Sequence, residues 1–227
     1  MIINPDPAVS VIIPVLNEAD HIGILLEELQ AYAEIEIIVC DGGSTDRTRQ
    51  ICAAYPVQIC SGAAGRGKQM NLGAQAAASD ILLFLHADTR ITAGLVPQVI
   101  EAVRQGNRWG CARLSFDDPA YFFRWLAFMS NWRARYLSSC YGDQAIFCQK
   151  EFFYETAMFP ETKFLEDIAF SHQARKRQKA LVLSAKVVTS SRRFQQGGRW
   201  RMLFKMQLIK LLYFMGVSPE RLSKMYG

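Results

Sequence analysis

The chain has 227 residues, half of them apolar, which suffices for one large domain with a continuous core and excludes a disordered tail or a fibre. Net charge is a modest +5, but from Ser171 onward 13 Lys or Arg stand against a single acid, Glu220. That quarter carries +12 and the first 170 residues −7, which suits phosphates on a ligand or on an anionic membrane surface; nothing in the pattern points to nucleic acid.

The opening "MIINPDPAVS" has no basic n-region, so it is not read as a secretory signal. "VSVIIPV" (9–15) is β-branched and almost wholly apolar, as expected of a strand covered on both faces. "NEADHIGILLEELQAYA" then places Ile22, Leu25, Leu26 and Leu29 on one helical face, with Asn17 as its N-cap. "EIIVCD" (36–41) is the second strand and "STDRTRQICAAY" the second helix, capped by Ser44. "VQICS" (57–61), "GRGKQMNLGAQAAAS" and "DILLFLH" repeat the scheme. Strands alternating with helices over about 80 residues predict a parallel α/β sheet, whose ligands lie beyond the C-terminal strand ends.

Further on, "GCARLSF" (110–116) is a strand and "PAYFFRWLAFMSNWRARYLSS" an aromatic helix or helix pair. Aromatic stripes usually build core, so this one is expected to pack against the sheet; the other readings are an acceptor platform or a lipid interface with Arg124, Arg133 and Arg135 toward headgroups. "QAIFCQ" is a short strand, "KEFFYETAMF" and "LEDIAFSHQARKRQ" are helices, and "LVLSAKVVTSS" is a hairpin or bent strand. "GRWRMLFKMQLIKLLYFMG" is a terminal helix, apolar nearly all round. Its apolar run is too short for a membrane span and is broken by Lys210. The six cysteines make no Cys-x-x-Cys pair and no zinc spacing, so they read as reduced fillers of a cytoplasmic protein.

Each predicted strand ends in residues suited to chemistry. In "CDGGSTDRT", Asp41 can accept hydrogen bonds from a base or ribose while two glycines let the backbone approach a ligand. In "GRGKQMNLG", Arg66 and Lys68 stand at a helix start, where cations and orphan N–H groups favour a diphosphate. This is neither a Walker loop nor a dinucleotide fingerprint. "LLFLHADTR" ends an apolar strand in His86 and Asp88; Asp88 suits Mg2+ or Mn2+ bridging phosphates, and His86 as a second ligand would favour Mn2+. A phosphatase of the haloacid dehalogenase class would need an aspartate nucleophile where His86 stands.

Taken in order, "VSVIIPVLNEADHIGILLEEL", "EIIVCDGGSTDRT", "GRGKQMNLGAQAAASDILLFLHADT" and "FLEDIAFSHQARKRQ" resemble the family 2 glycosyltransferases, inverting enzymes of the GT-A fold, over roughly residues 8–180. "YGDQAIF" and the "GG...SPERL" tail also resemble a small bacterial subfamily associated with arsenosugar biosynthesis. The resemblance implies an α/β fold of Rossmann-like type, a mixed sheet flanked by helices. A GT-A domain over 1–190 would carry a basic loop and helices, 191–227, on the same domain. Pro14, Asn17, Glu18 and Asp41 would hold the nucleotide, a uridine by default, with Arg66 and Lys68 near the diphosphate. His86-Ala87-Asp88 stands where the family has Asp-x-Asp, so Asp88 would bind metal, with His86 a departure. Glu166 and Asp167 match the family's Glu-Asp pair, whose aspartate is the general base; Glu166 would orient it. Asp143 and Gln144 are assigned to the acceptor pocket. "QGGRW" satisfies the Gln-x-x-Arg-Trp signature of processive synthases, but reads here as a Gly-hinged loop closing over the donor, with Arg199 near phosphate and Trp200 near sugar.

The expected function is transfer of a sugar from a nucleotide-diphosphate donor to a hydroxyl of a small-molecule or lipid acceptor, assisted by Mg2+ or Mn2+. The alternatives are a nucleotidyltransferase, which lacks its glycine-rich first loop here, and a non-catalytic nucleotide-binding or membrane-peripheral protein on the same fold. Peripheral contact at the inner face of a membrane is the second partner the basic tail suggests.

Overall fold

A computed structural model describes residues 6–162 and 164–226 of the chain. The first unit alternates β1 (Val9–Val15), α1 (Ile22–Leu29), β2 (Ile35–Asp41), α2 (Thr48–Cys52), β3 (Gln58–Ser61), α3 (Arg66–Ala76) and β4 (Ile81–Phe84). Then come β5 (Arg90–Ile91), α4 (Leu95–Arg104), β6 (Trp109–Phe116), the long helix α5 (Tyr121–Leu137) and a 3-10 turn, Gly142–Gln144. The rest is β7 (Ile146–Gln149), α6 (Lys150–Glu155), α7 (Glu166–Arg177), β8 (Leu181–Thr189), α8 (Arg192–Gly197), α9 (Arg199–Phe214) and α10 (Pro219–Tyr226).

One sheet takes all eight strands in the order β3-β2-β1-β4-β7-β6-β8-β5. The four strands of the first unit are parallel, while β7 runs antiparallel to both β4 and β6. The sheet is therefore mixed, as the resemblance implies. Period-2 alternation decides which face each side chain enters. Val9, Val11, Ile13 and Val15 of β1 point into a core under α1 and α4, whereas Ile12 joins the opposite core under α3, α6 and α7. The predicted face of α1 is fully buried there.

Parallel register brings the functional loops together. Val15 pairs with Asp41 and Asp41 with Ser61, so the first three strands end level with one another. Buried Gln69 ties α3 to the same edge, donating from Nε2 to the carbonyls of Val15 (2.8 Å) and Cys40 (2.7 Å). The loops after β1 and β2 are stitched into one unit. Asn17 N donates to Ser44 Oγ (3.0 Å), Thr45 N to Asn17 Oδ1 (2.8 Å) and Glu18 N to Thr48 Oγ1 (2.8 Å).

That stitching corrects both predicted caps. Asn17 sits in left-handed backbone at φ 56 and bonds the neighbouring loop, and α1 starts only at Ile22. Ser44 serves the Asn17 amide, so the start of α2 is capped by Asp46, whose Oδ1 accepts from Thr48 N (2.9 Å).

The C-terminal helices pack on the same body. Leu165 and Ile168 at the start of α7 meet Ile209 and Leu222 of α9 and α10, and Phe123 of α5 meets Phe194 and Leu203 of α8 and α9. The loop expected at 196–200 is instead the tight junction of two helices, α8 ending at Gly197 and α9 starting at Arg199, with Gly198 at φ 80 as the bend. The aromatic helix packs against the sheet as expected, but on one face only. Asn131 clamps α5 to the edge of β6 through both the N–H and the carbonyl of Leu114, and Phe123 and Ala134 are its only buried side chains. Only one stripe of α5 meets the body, so Trp125, Phe128 and Trp132 face outward. Arg133 turns inward, unlike the headgroup-facing position that the lipid-interface alternative would give it.

Candidate active site

Beyond the C-terminal ends of the sheet lies a cavity of about 230 Å3, walled by strand ends, by the start of α7 and by the inner faces of α5 and α9. One region of its lining is polar and belongs to the strand-end loops: His21, Arg66, His86, Asp88 and Arg192. Another is apolar, with Leu114, Phe116, Leu126, Leu203, Met206 and Ile209. Arg133, Tyr141, Asp143, Lys210 and the Glu166–Asp167 pair complete it.

Asp167 is held by two backbone donors, Gly142 N to Oδ2 (2.7 Å) and Ile168 N to Oδ1 (2.7 Å). The first requires glycine's close approach: a Cβ at residue 142 would lie 2.6 Å from His86 Nε2 and 3.5 Å from Asp167 Oδ2. The end of β4, the 3-10 turn and the start of α7 thus meet at one point. Glu166 is buried beside it, and burial, reinforced by the Asp167 charge, pushes its carboxyl up to about 7. Near neutral pH Glu166 therefore retains much of its proton.

The inner part of the cavity is a cation–carboxylate network. Arg133 donates to Gln144 Oε1 (2.8 Å) and to Ser139 O (2.9 Å), and its guanidinium lies 3.2 Å from the centroid of the Tyr141 ring. Lys210 stands 4.6 Å from that centroid. Burial and the Arg133 charge lower the Lys210 ammonium to about 8, against the opposing pull of Asp143 and Asp167. Burial raises Asp143, whose enclosed Oδ1 has no hydrogen-bond partner among the described residues. Asp88, Asp143, Glu166 and Asp167 thus share the cavity with Arg66, Arg133, Arg192 and Lys210, yet no two of these eight form a salt bridge. Opposite charges kept apart around a cavity leave both signs open to a ligand that enters it.

The sequence-derived candidates divide accordingly. Arg66, His86, Asp88, Asp143, Glu166 and Asp167 come together in the lining. Pro14 and Asp41 are buried at the strand ends beside it; Asp41 accepts from Ser44 N (3.0 Å) and lies 3.6 Å from Arg49. Asn17 belongs to the stitched loops, and Glu18 feels the Asp88 charge, which adds to burial in raising its carboxyl. Lys68 faces Glu161 at 3.8 Å and is outside the lining, as is buried Gln144, which supports Arg133. Arg199 and Trp200 are not brought in: Arg199 pairs with Asp118 (3.2 Å), and Trp200 rests edge-on against Phe122 with ring centroids 5.1 Å apart. Arg192 takes the place in the lining that Arg199 was expected to fill. Sequence reasoning missed Arg133, Tyr141 and Lys210; the available signal was that α5 and α9 hold cations and no acids, without a mark of which cations turn inward.

For a divalent cation the donors present are the exposed Asp88 carboxylate and the imidazole of His86; no group of three ligating side chains occurs among the described residues. Such a sparse set fits an ion that takes its remaining ligands from phosphate oxygens and water.

A mixed sheet with a charged cavity at its strand ends defines an α/β architecture of the GT-A kind. The chain belongs to glycosyl transferase family 2, whose model matches residues 10–163. It is similar to the undecaprenyl-phosphate 4-deoxy-4-formamido-L-arabinose transferase of Pectobacterium carotovorum, 32% identical over 127 residues that cover 50% of this chain and 39% of the relative. The chain spans less than half the length of the curated relatives it matches. In fold it is similar to S. aureus TarS 1-349, with TM-score 0.66 and 18% identity over 96% of this chain and 69% of that one. Glucosyl-3-phosphoglycerate synthase from Mycobacterium tuberculosis, solved with Mn2+, UDP and glucosyl-3-phosphoglycerate, gives TM-score 0.63 and 18% identity over 89% and 79% of the two chains.

Proposed function

We propose that this protein moves a sugar from a nucleotide-diphosphate donor, a UDP-sugar, to a hydroxyl acceptor with inversion at the anomeric carbon. The observation that carries the reading is the set of carboxylates and cations held apart around one cavity, with Asp167 fixed by two backbone N–H groups. UDP bound in glucosyl-3-phosphoglycerate synthase, and UDP-GlcNAc in TarS, support the choice of donor.

In this reading the stitched loops carrying Pro14, Asn17, Glu18 and Asp41 bind the nucleoside, and Arg66 and Arg192 face the diphosphate, with Lys68 at its rim. Asp88 and His86 would hold Mg2+ or Mn2+, which would supply positive charge to the diphosphate leaving group. Asp167 removes the acceptor hydroxyl's proton as the oxygen attacks the anomeric carbon, and the glycosidic bond to the diphosphate breaks. Glu166, whose carboxyl burial raises to about 7, orients Asp167. Asp143 borders the acceptor position. No donor contact is assigned to Arg199 or Trp200.

Calorimetric titration with UDP, GDP and their sugar conjugates, with Mn2+ and again with EDTA, tests the donor half. Metal-dependent binding of a uridine nucleotide is expected, and the absence of any nucleotide binding overturns the reading. Acceptor assays then compare polyprenyl lipids, small metabolites and the arsenic-containing nucleoside derivatives suggested by the narrower resemblance.

A further inference from the structure

The outer faces of α5 and α9 have no function in this reaction, and their composition is unusual. Trp125, Phe128 and Trp132 on α5 and Trp200, Phe204 and Phe214 on α9 are all exposed, Phe128 to 63% and Phe204 to 70%. Residues at i, i+3, i+4 and i+7 share a helical face, so each helix presents one outward apolar stripe. The stripes meet at the start of α9, where Trp200 touches Phe122 of α5. An apolar patch spread over two neighbouring helices exceeds the scattered exposure normal for a surface.

Charge decides what covers it. Helices α5 and α9 together contain seven Lys or Arg and no Asp or Glu. Arg133 and Lys210 turn into the cavity, while Arg124, Arg135 and Arg201 stay exposed beside the aromatic stripes. A two-fold contact with a second copy would press these cations against themselves with no acid on either helix to offset them. An anionic lipid surface instead offers phosphates to the arginines and a boundary zone that suits tryptophan rings. We infer that the paired outer faces of α5 and α9 form a docking surface for an anionic bilayer. No described helix is long and apolar enough to cross one, so the contact lies in the plane of the interface. This inference stands apart from the sugar-transfer reading and does not depend on it.

The protein carries its own probe. Three of its four tryptophans, Trp125, Trp132 and Trp200, lie on this surface, and Trp109 is fully buried. Titration of the whole chain with phosphatidylcholine vesicles containing about 30 mol% phosphatidylglycerol should shift tryptophan emission to the blue and carry the protein into the vesicle pellet at low salt. Salt at about 0.5 M, or pure phosphatidylcholine vesicles, should weaken binding by roughly tenfold or more. The double variant Phe128→Ser, Phe204→Ser should lose vesicle binding while keeping its thermal melt and its nucleotide affinity, because neither residue is buried or lines the cavity. Unchanged emission with protein left in the supernatant overturns the inference. So does equal binding to both vesicle types at any salt, or a dimer that buries the tryptophans without lipid.

Discussion

The first four strands with their helices and the C-terminal helices α5 and α8–α10 use apolar residues to opposite ends. In β1 every residue is buried, with Val9, Val11, Ile13 and Val15 in one core and Ile12 in the other. In α9, by contrast, only Leu203 and Ile209 of a largely apolar helix are buried. The strands meet a second layer on each face, so hydrophobicity there translates directly into burial. The helices meet the body on one face only, and that face is largely a cavity wall. Apolar residues in the first region hold the fold, while those in the second shape a binding site inward and a surface outward.

The largest expected effect lies where the two regions meet. Asp167 joins them through Gly142 and through the contact of the α7 start with α9. Replacing it with Asn keeps the shape and removes the proton acceptor, so kcat should fall by about 10²- to 10⁴-fold with donor affinity nearly unchanged. Steady-state kinetics beside calorimetry of UDP binding checks this, and normal turnover would remove Asp167 from the base's role. Asp88→Ala should do the reverse, abolishing metal-dependent donor binding; an affinity unaffected by the change would show that the ion is held elsewhere.

Next comes the sheet-side core. Phe170, one turn beyond Asp167 on α7, is fully buried against the rings of Trp109, Phe153 and Phe159. Phe170→Ala should cost about 3–5 kcal/mol in a denaturant melt, because a ring-sized cavity is left among side chains that cannot collapse into it. A smaller contribution comes from Glu166, which is buried and carries its proton up to about pH 7 in the folded protein against 4.5 for the free side chain. Between these two values the folded state binds more protons than the unfolded chain, so this group's contribution to stability declines as pH rises. Glu166→Gln should remove about 2–3 kcal/mol of that decline, read as the difference between wild-type and variant melts at pH 5 and pH 8. Identical pH slopes for both proteins would mean that the carboxyl is not desolvated as described.

Much of this was legible from local patterns. The strands and the α1 face follow from periods of two and 3.6, and the parallel order follows from alternation of strands with helices. Arg66, His86 and Asp88 were readable because strand ends and a helix start place polar residues where an apolar run stops, whereas Glu166 and Asp167 were picked out only by their match to the family's Glu-Asp pair. Caps were misread because Asn17 and Ser44 bond each other's loops across 27 residues of sequence, a partnership no local window contains. Arg133 and Lys210 were missed for a related reason: whether a cation in an apolar helix faces water or a cavity depends on what packs against that helix. Arg199 and Trp200 matched a motif, but Gly198 turns the chain so that they face Asp118 and Phe122.

The aromatic helices supply the smallest predicted effect and the sharpest form of the contrast. Phe128 and Phe170 are the same residue type on helices of the same domain, and sequence hydrophobicity cannot tell them apart. Phe128 is 63% exposed, so truncating it removes little area that folding hides from water. Phe128→Ser should therefore change stability by less than about 0.5 kcal/mol, the range typical of surface positions, against several for Phe170→Ala. A loss for Phe128→Ser comparable to that for Phe170→Ala would mean that α5 is covered in solution even without lipid. The two regions would then use their apolar residues alike. A near-zero value places the aromatic stripe outside the folding energetics altogether and leaves interaction as the reason it is there.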